Sequence, residues 1–247
     1  MKVVIITGGS RGIGASAAKQ LAGPGQAVII TYKNDAKAAQ EVVGAISEAG
    51  GAAVALQLDL NNAGSFPAFK EAVERTMSEA WGVQRLAGLV NNGGYGIFNP
   101  IETVTEAQFD GLLNVHLKGP FFLTQALLPL FGEGASIVNI TSATTRVATA
   151  GVAPYASFKG GLEVLTRYMA KEFGDRRIRV NSVSPGAIRT ELGGGLSEEF
   201  ERLLAAQTAL GRVGDPDDVG RIVVALLSDT TAWVNAQSIE VAGGYNI

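Results

Sequence analysis

The feature that most constrains this chain is an alternation. Short continuous apolar runs take turns with longer stretches whose apolar residues recur every three to four positions. Seven runs read as strands: Val3–Thr7, Ala27–Tyr32, Ala53–Leu58, Leu86–Val90, Ser136–Ile140, Arg179–Val183 and Ser238–Val241. Between them Gly14–Ala22, Ala36–Ala49, Phe66–Ala80, Glu106–Phe131, Tyr155–Phe173 and Asp217–Leu227 read as helices. Strands that are apolar on both faces belong to parallel sheets covered by helices on both sides. Strand–helix alternation with crossovers of this length gives such a sheet. The expected fold is α/β: a single doubly wound domain over residues 1–247 with a seven-stranded parallel sheet. One region breaks the pattern. Residues 189–213 hold Gly193-Gly194-Gly195 and a short helix around Ser197–Ala206, and read as a mobile insertion before the last helix.

Composition removes much chemistry. The chain has no cysteine and a single histidine, His116. Disulfides, thiol nucleophiles, iron–sulfur clusters and Cys/His zinc sites are excluded. A Ser-His-Asp triad would have to run through His116. Carboxylate-bound metals stay open, but no residues are assigned to a metal. No apolar run approaches the ~20 residues that span a bilayer. The first apolar run is shorter than the ~7–15 residues of a secretory signal, so a cytoplasmic protein is expected. The net charge of −3 gives no support for a nucleic-acid or membrane partner.

The first strand runs into Thr7-Gly8-Gly9-Ser10-Arg11-Gly12-Ile13-Gly14. Glycines there allow a tight turn, close approach of backbone to a pyrophosphate, and close helix packing. The following helix N-terminus offers free N–H groups to an anion. No Lys-Ser/Thr pair follows the last glycine, so this is not a P-loop. The second strand ends Tyr32-Lys33-Asn34-Asp35 without an acid at its tip. Asp35 reads as a helix N-cap. Lys33 and Arg11 together are placed to bracket a 2′-phosphate, which favours NADP(H) over NAD(H). Asp59-Leu60 after strand three and Asn91-Asn92-Gly93-Gly94 after strand four are further cofactor-side segments.

Tyr155 and Lys159 lie four residues apart at the start of a helix, so they share a face. Ser142 lies just beyond strand five, and Asn114 sits in the preceding helix. Each alone is a weak signal. Together with the glycine turn they resemble the short-chain dehydrogenase/reductase family, and in particular its 3-oxoacyl-acyl-carrier-protein reductases, over essentially the whole chain. The resemblance implies a Rossmann fold. It also implies a catalytic set of Asn114, Ser142, Tyr155 and Lys159. Pro185, Gly186, Ile188 and Thr190 match its nicotinamide-side segment. The implied cofactor set is Gly8, Ser10, Arg11, Gly12, Ile13, Gly14, Tyr32, Lys33, Asp59, Leu60, Asn91 and Gly93 with Tyr155, Lys159 and that segment. Ser142, Thr144, Tyr155, Gly186 and Leu192 are the implied substrate contacts. Residues 189–213 would be a substrate lid, and the family usually assembles as a homotetramer. Gly93, Ala236 and Ala242 depart from the family's common Ala, Gly and Asp.

The implied reaction is hydride transfer between nicotinamide and a carbonyl or secondary alcohol, with Tyr155 as general acid or base. A free tyrosine titrates at ~10. A cation within ~4–6 Å lowers a pKa by one to three units, so Lys159 with the oxidised nicotinamide is expected to pull the phenol down. Ser142 would hold the substrate oxygen, and Asn114 a water leading to Lys159. Pro120 has no N–H and is expected to loosen the helix around Asn114. His116, two residues from Asn114, points roughly 200° away on an α-helix and reads as a packed residue. A non-catalytic dinucleotide sensor on this fold is the alternative, disfavoured by the intact catalytic set. An acyl-carrier substrate needs a basic docking surface. Pro129–Gly134 has no cation, which leaves Arg176 and Arg177.

Overall fold

In the first strand, Val3 and Ile5 face one side of the sheet and Val4 and Ile6 the other, and all four are buried. The computed structural model describes residues Met1–Ile247. Its strands are β1 (Lys2–Ile6), β2 (Gln26–Tyr32), β3 (Ala52–Gln57), β4 (Leu86–Asn91), β5 (Phe131–Ile140), β6 (Arg179–Pro185) and β7 (Ser238–Val241). They form one parallel sheet in the order β3-β2-β1-β4-β5-β6-β7. The order reverses between β1 and β4. In open α/β sheets that is where a crevice opens beyond the carboxyl ends of the strands.

The helices are α1 (Gly12–Leu21), α2 (Ala36–Glu48), α3 (Phe66–Trp81), α4 (Glu106–Leu113), α5 (Gly119–Leu127), α6 (Ala153–Glu172), α7 (Glu198–Ala206) and α8 (Pro216–Leu227). Phe66, Phe69, Val73 and Met77 of α3 pack with Leu123 and Leu127 of α5 and Met169 of α6 against the Val3/Ile5 face. Ala17 and Leu21 of α1, Val42 and Ile46 of α2, and Val219 and Val223 of α8 cover the Val4/Ile6 face. Both faces are therefore dry, which is why the strands lack polar alternation. No helix is long and apolar enough to cross a membrane.

The structure corrects two expected elements. The helix expected over Glu106–Phe131 is broken into α4, a π-helical turn at Asn114–Lys118, α5 and a 3-10 turn at Leu128–Leu130. Gly119 N–H reaches back to the Asn114 carbonyl in the wider π spacing, and Pro120 follows with no N–H to restore the α pattern. The loosening expected around Asn114 is this turn. β5 begins at Phe131 rather than Ser136, because Phe131 already pairs with Leu86 across a register shift.

Candidate active site

Thr7 closes β1 and fastens it to the segment after β4. Its N–H donates to the Val90 carbonyl, and its Oγ1 accepts from the N–H groups of Asn92 and Gly93 at 2.9 Å each. The Asn92 amide then donates to the carbonyls of Thr7 (2.9 Å) and Gly8 (3.1 Å). The backbone at Gly93, where the family commonly has Ala, is thereby pinned. The turn itself demands glycine. Gly8 has φ +63°, and a Cβ there would lie 2.7 Å from the Gly93 Cα. A Cβ on Gly14 would lie 2.4 Å from the Gly8 carbonyl oxygen. α1 starts from Arg11 with no side-chain cap, which leaves its first N–H groups available to an anion.

A cavity of about 1080 Å³ runs from this turn to Tyr155. Gly8, Ser10, Arg11, Gly12 and Ile13 line one end, with Tyr32, Lys33, Asp59 and Leu60. Gly93, Ser142, Tyr155, Lys159, Pro185 and Gly186 line the other, with Ile188, Thr190 and Leu192 on the lid side. Four expected site residues lie outside it: Gly14, Asn91, Asn114 and Thr144. Gly14 instead allows α1 to sit on the Gly8 carbonyl. Asn91 is buried and donates to Asn139 Oδ1 at 2.8 Å and Thr124 Oγ1 at 3.3 Å, tying β4 to β5 and α5. Volume and glycine cradle fit a nicotinamide dinucleotide.

At the β2 end, Asp35 does cap α2, accepting from the Ala38 N–H at 2.9 Å. Each of the two expected phosphate-binding cations holds a carboxylate. Lys33 Nζ lies 3.1 Å from Asp59, and Arg11 Nη1 lies 2.9 Å from Glu191 across the cleft. Gly186 lies against Ala242, where a Cβ would sit 2.7 Å from the Ala242 Cβ. Ala236 adopts φ +60°, the left-handed region that glycine occupies freely.

At the other end, Ser142 leaves β5 and caps the short turn Ala143–Thr145. Its Oγ accepts from the N–H (3.2 Å) and the hydroxyl (2.9 Å) of Thr144. Both lone pairs are engaged, so the Ser142 O–H is free to donate outward. Thr144 therefore supports Ser142 rather than touching substrate. Four residues after Ser142, Arg146 grips the carboxylate of Glu240 through Nε and Nη2 and the carbonyls of Tyr245 and Asn246. The same tail bonds the segment after α7 through Gln207, Ala209 and Leu210.

Tyr155 enters on the first turn of α6, opened by Pro154 near its start. Lys159, one turn on, is buried and donates to the Ile140 carbonyl at 2.6 Å. Its Nζ lies 5.6 Å from the Tyr155 ring centroid. Burial brings Lys159 down to about 7. Burial also pushes the Tyr155 phenol up to about 12, against the opposing hydrogen bond from Ser142. Lys159 on its own does not lower the phenol; the expected lowering belongs to Lys159 together with the oxidised nicotinamide. The same dryness weakens Lys159 as a cation, so it does not offset the burial of the phenol.

Sequence reasoning missed His116. It is 1% exposed, as a packed residue should be, yet its ring stands edge-on to Tyr155 with centroids 4.9 Å apart, and it lines the cavity. His116 lines the cavity and Asn114 does not, so the two do not share a face; what fails is the expectation that the site lies on the Asn114 side. Pro120 after a Gly at 119 was the one available signal.

Comparison with known proteins agrees with this geometry. The enoyl-(acyl carrier protein) reductase family model matches residues 8–246. An uncharacterized oxidoreductase from Methylorubrum extorquens is 41% identical over 246 residues, covering 98% of this chain and 97% of its own. The hydroxynaphthalene reductase-like protein Arp2 from Metarhizium brunneum is 34% identical, covering 98% of this chain and 94% of its own. The crystal structure of the angucycline C-6 ketoreductase LanV with bound NADP matches with a TM-score of 0.94 at 34% identity, covering 99% of this chain and 95% of that one. The chain belongs to the short-chain dehydrogenase/reductase family and is an oxidoreductase acting on carbonyl and alcohol groups.

Proposed function

We propose that the protein is an NADPH-dependent ketoreductase acting on small ring ketones, with Tyr155 as its general acid. One observation carries this reading. A phenol held protonated at about 12 stands beside the Ser142 O–H at the far end of a cavity that begins in a glycine cradle. A bound nicotinamide dinucleotide supplies the hydride. Ser142 donates to the carbonyl oxygen and steadies the charge that develops there. Tyr155 delivers its proton to that oxygen. Lys159, held near neutrality, takes up and passes on the replacement proton and would hold the nicotinamide ribose. Asn114, at the mouth of the π turn, supports the water that feeds it.

Lys33 and Arg11 favour the 2′-phosphate of NADPH, with Asp59 and Glu191 as their present partners. Residues 189–213 serve as the lid, with Leu192 over the substrate. The relatives named for hydroxynaphthalene and angucycline reduction support a ring ketone. An acyl-carrier substrate is less well supported. Arg176 is engaged by the carbonyls of Leu128 and Phe131, and Arg177 by Glu133. Phe121 and Phe122 on α5 and Val164 and Tyr168 on α6 are exposed apolar residues suited to a second copy of the chain, as a homotetramer would require. The test is a panel of cyclic ketones and 3-oxoacyl thioesters with NADPH and NADH. Reduction of ring ketones with NADPH preferred is the expected result. Turnover confined to acyl-carrier thioesters would replace this reading.

A further inference from the structure

A buried atom without a partner lies next to the reacting phenol. His116 Nε2 is 2.7 Å from the Tyr95 carbonyl oxygen. A carbonyl only accepts, so Nε2 carries the hydrogen and Nδ1 is a bare lone pair. That lone pair is buried and unpaired. Such an atom is costly, and a phenylalanine would remove it. The imidazole does two things at once that no other side chain combines here. Its N–H holds the Tyr95 carbonyl, and its ring meets the Tyr155 ring nearly at right angles, 81° between planes. The surroundings are cut to admit it. A Cβ on Gly94 would lie 2.6 Å from His116 Cε1. A Cβ on Gly111 of α4 would lie 2.6 Å from the Tyr95 hydroxyl. Burial and the neighbouring Lys159 charge also hold the imidazole at about 3, so this tautomer does not change in the neutral range.

We propose that His116 is the positioning residue of this site. Its ring edge fixes the plane of the Tyr155 phenol, and its N–H locks the Gly93–Gly96 loop on the cavity wall to that phenol. This rests on Tyr155 being the general acid. The π turn at Asn114–Lys118 sets the imidazole between the two tyrosines.

The two halves of the proposal separate in two variants. His116→Gln keeps an N–H donor for the Tyr95 carbonyl and loses the ring. His116→Phe keeps the ring edge and loses the donor. Steady-state kinetics with NADPH and a ketone that the wild type reduces should show kcat of the Gln variant at least ~10-fold below that of the Phe variant, since misplacement of ~1 Å costs on this scale. KM should rise more in the Phe variant, whose loop is unfastened. Equal kcat in the two, or wild-type kcat in the Gln variant, overturns the proposal. If the Gln variant does not fold, His116→Leu replaces it in the same comparison. Tyr155→Phe run alongside separates the two claims. If it still turns over at the wild-type rate, the general-acid reading fails, whatever His116 does. A second readout needs no turnover. In protein carrying ¹³C-labelled tyrosine, the Tyr155 ring resonance, assigned by its loss in Tyr155→Phe, should move in the Gln variant more than in the Phe variant. A Tyr155 resonance indifferent to the Gln variant also overturns the proposal.

Discussion

At the Tyr155 end of the cleft the ionisable groups are buried, while at the Arg11–Lys33 end they are exposed and each holds a carboxylate. His116, Tyr155 and Lys159 sit far from their ordinary pKa values, all three moved chiefly by burial. The side chains of Arg11 and Glu191 are 63% and 76% exposed. Exposed pairs are worth about 0–1 kcal/mol, so a phosphate can replace either carboxylate at little cost. The buried groups have no such substitutes. One end of the cleft is therefore tunable by single substitutions, and the other is nearly all-or-none.

The sharpest break of that contrast would come from the buried end. Tyr155→Phe should lower kcat by about 10²–10⁴-fold, the range for loss of a general acid or base. Retention of more than a tenth of the activity would place the proton donor elsewhere. The pH profile is the next test. With the phenol at about 12, its own titration leaves reduction unchanged between about pH 6 and 9, and a bend near 7 in that profile reports Lys159. Alcohol oxidation needs the phenolate and should rise about tenfold per pH unit over the same interval. A flat oxidation profile would mean that the phenol is not the titrating group.

Stability offers a smaller effect with a definite sign. His116 titrates at about 3 in the fold and at 6.5 ordinarily. Between those values the unfolded chain binds a proton that the native chain refuses, so stability falls as pH drops from 6.5 to 3. The expected loss is on the order of a few kcal/mol. Melting temperatures across this window should fall less steeply in His116→Phe than in the wild type. The exposed end should respond least. Lys33→Ala should raise KM for NADPH by about two- to fivefold and leave NADH alone, while Asp59→Asn should lower it by a similar factor. Effects of a hundredfold here would erase the distinction between the two ends.

The contrast also governs what could be read from the sequence. Apolar runs located all seven strands, most to within one or two residues, because burial on both faces writes itself into composition. Thr7-Gly8-Gly9 and Tyr155-Lys159 were legible because backbone approach and shared helix faces depend on local spacing. His116 reads correctly as packed, but nothing in its local spacing says that Tyr155 and the cavity wall are what it packs against. Nor were the partners of Lys33 and Arg11 legible, since Asp59 and Glu191 reach them through the fold rather than along the chain. The Thr144 support of Ser142 escaped notice for a simpler reason. Sequence places both residues at the pocket and says nothing about which hydroxyl faces which.

The grip of Arg146 has a consequence for anyone altering the chain. Residues 243–246 lie outside the main sheet, yet they are the common anchorage for the loop after Ser142 and for the segment Gln207–Leu210. They tie together two segments that are far apart in the chain. Shortening this tail, or fusing a rigid domain directly to it, should damage turnover like an active-site lesion while leaving the sheet intact.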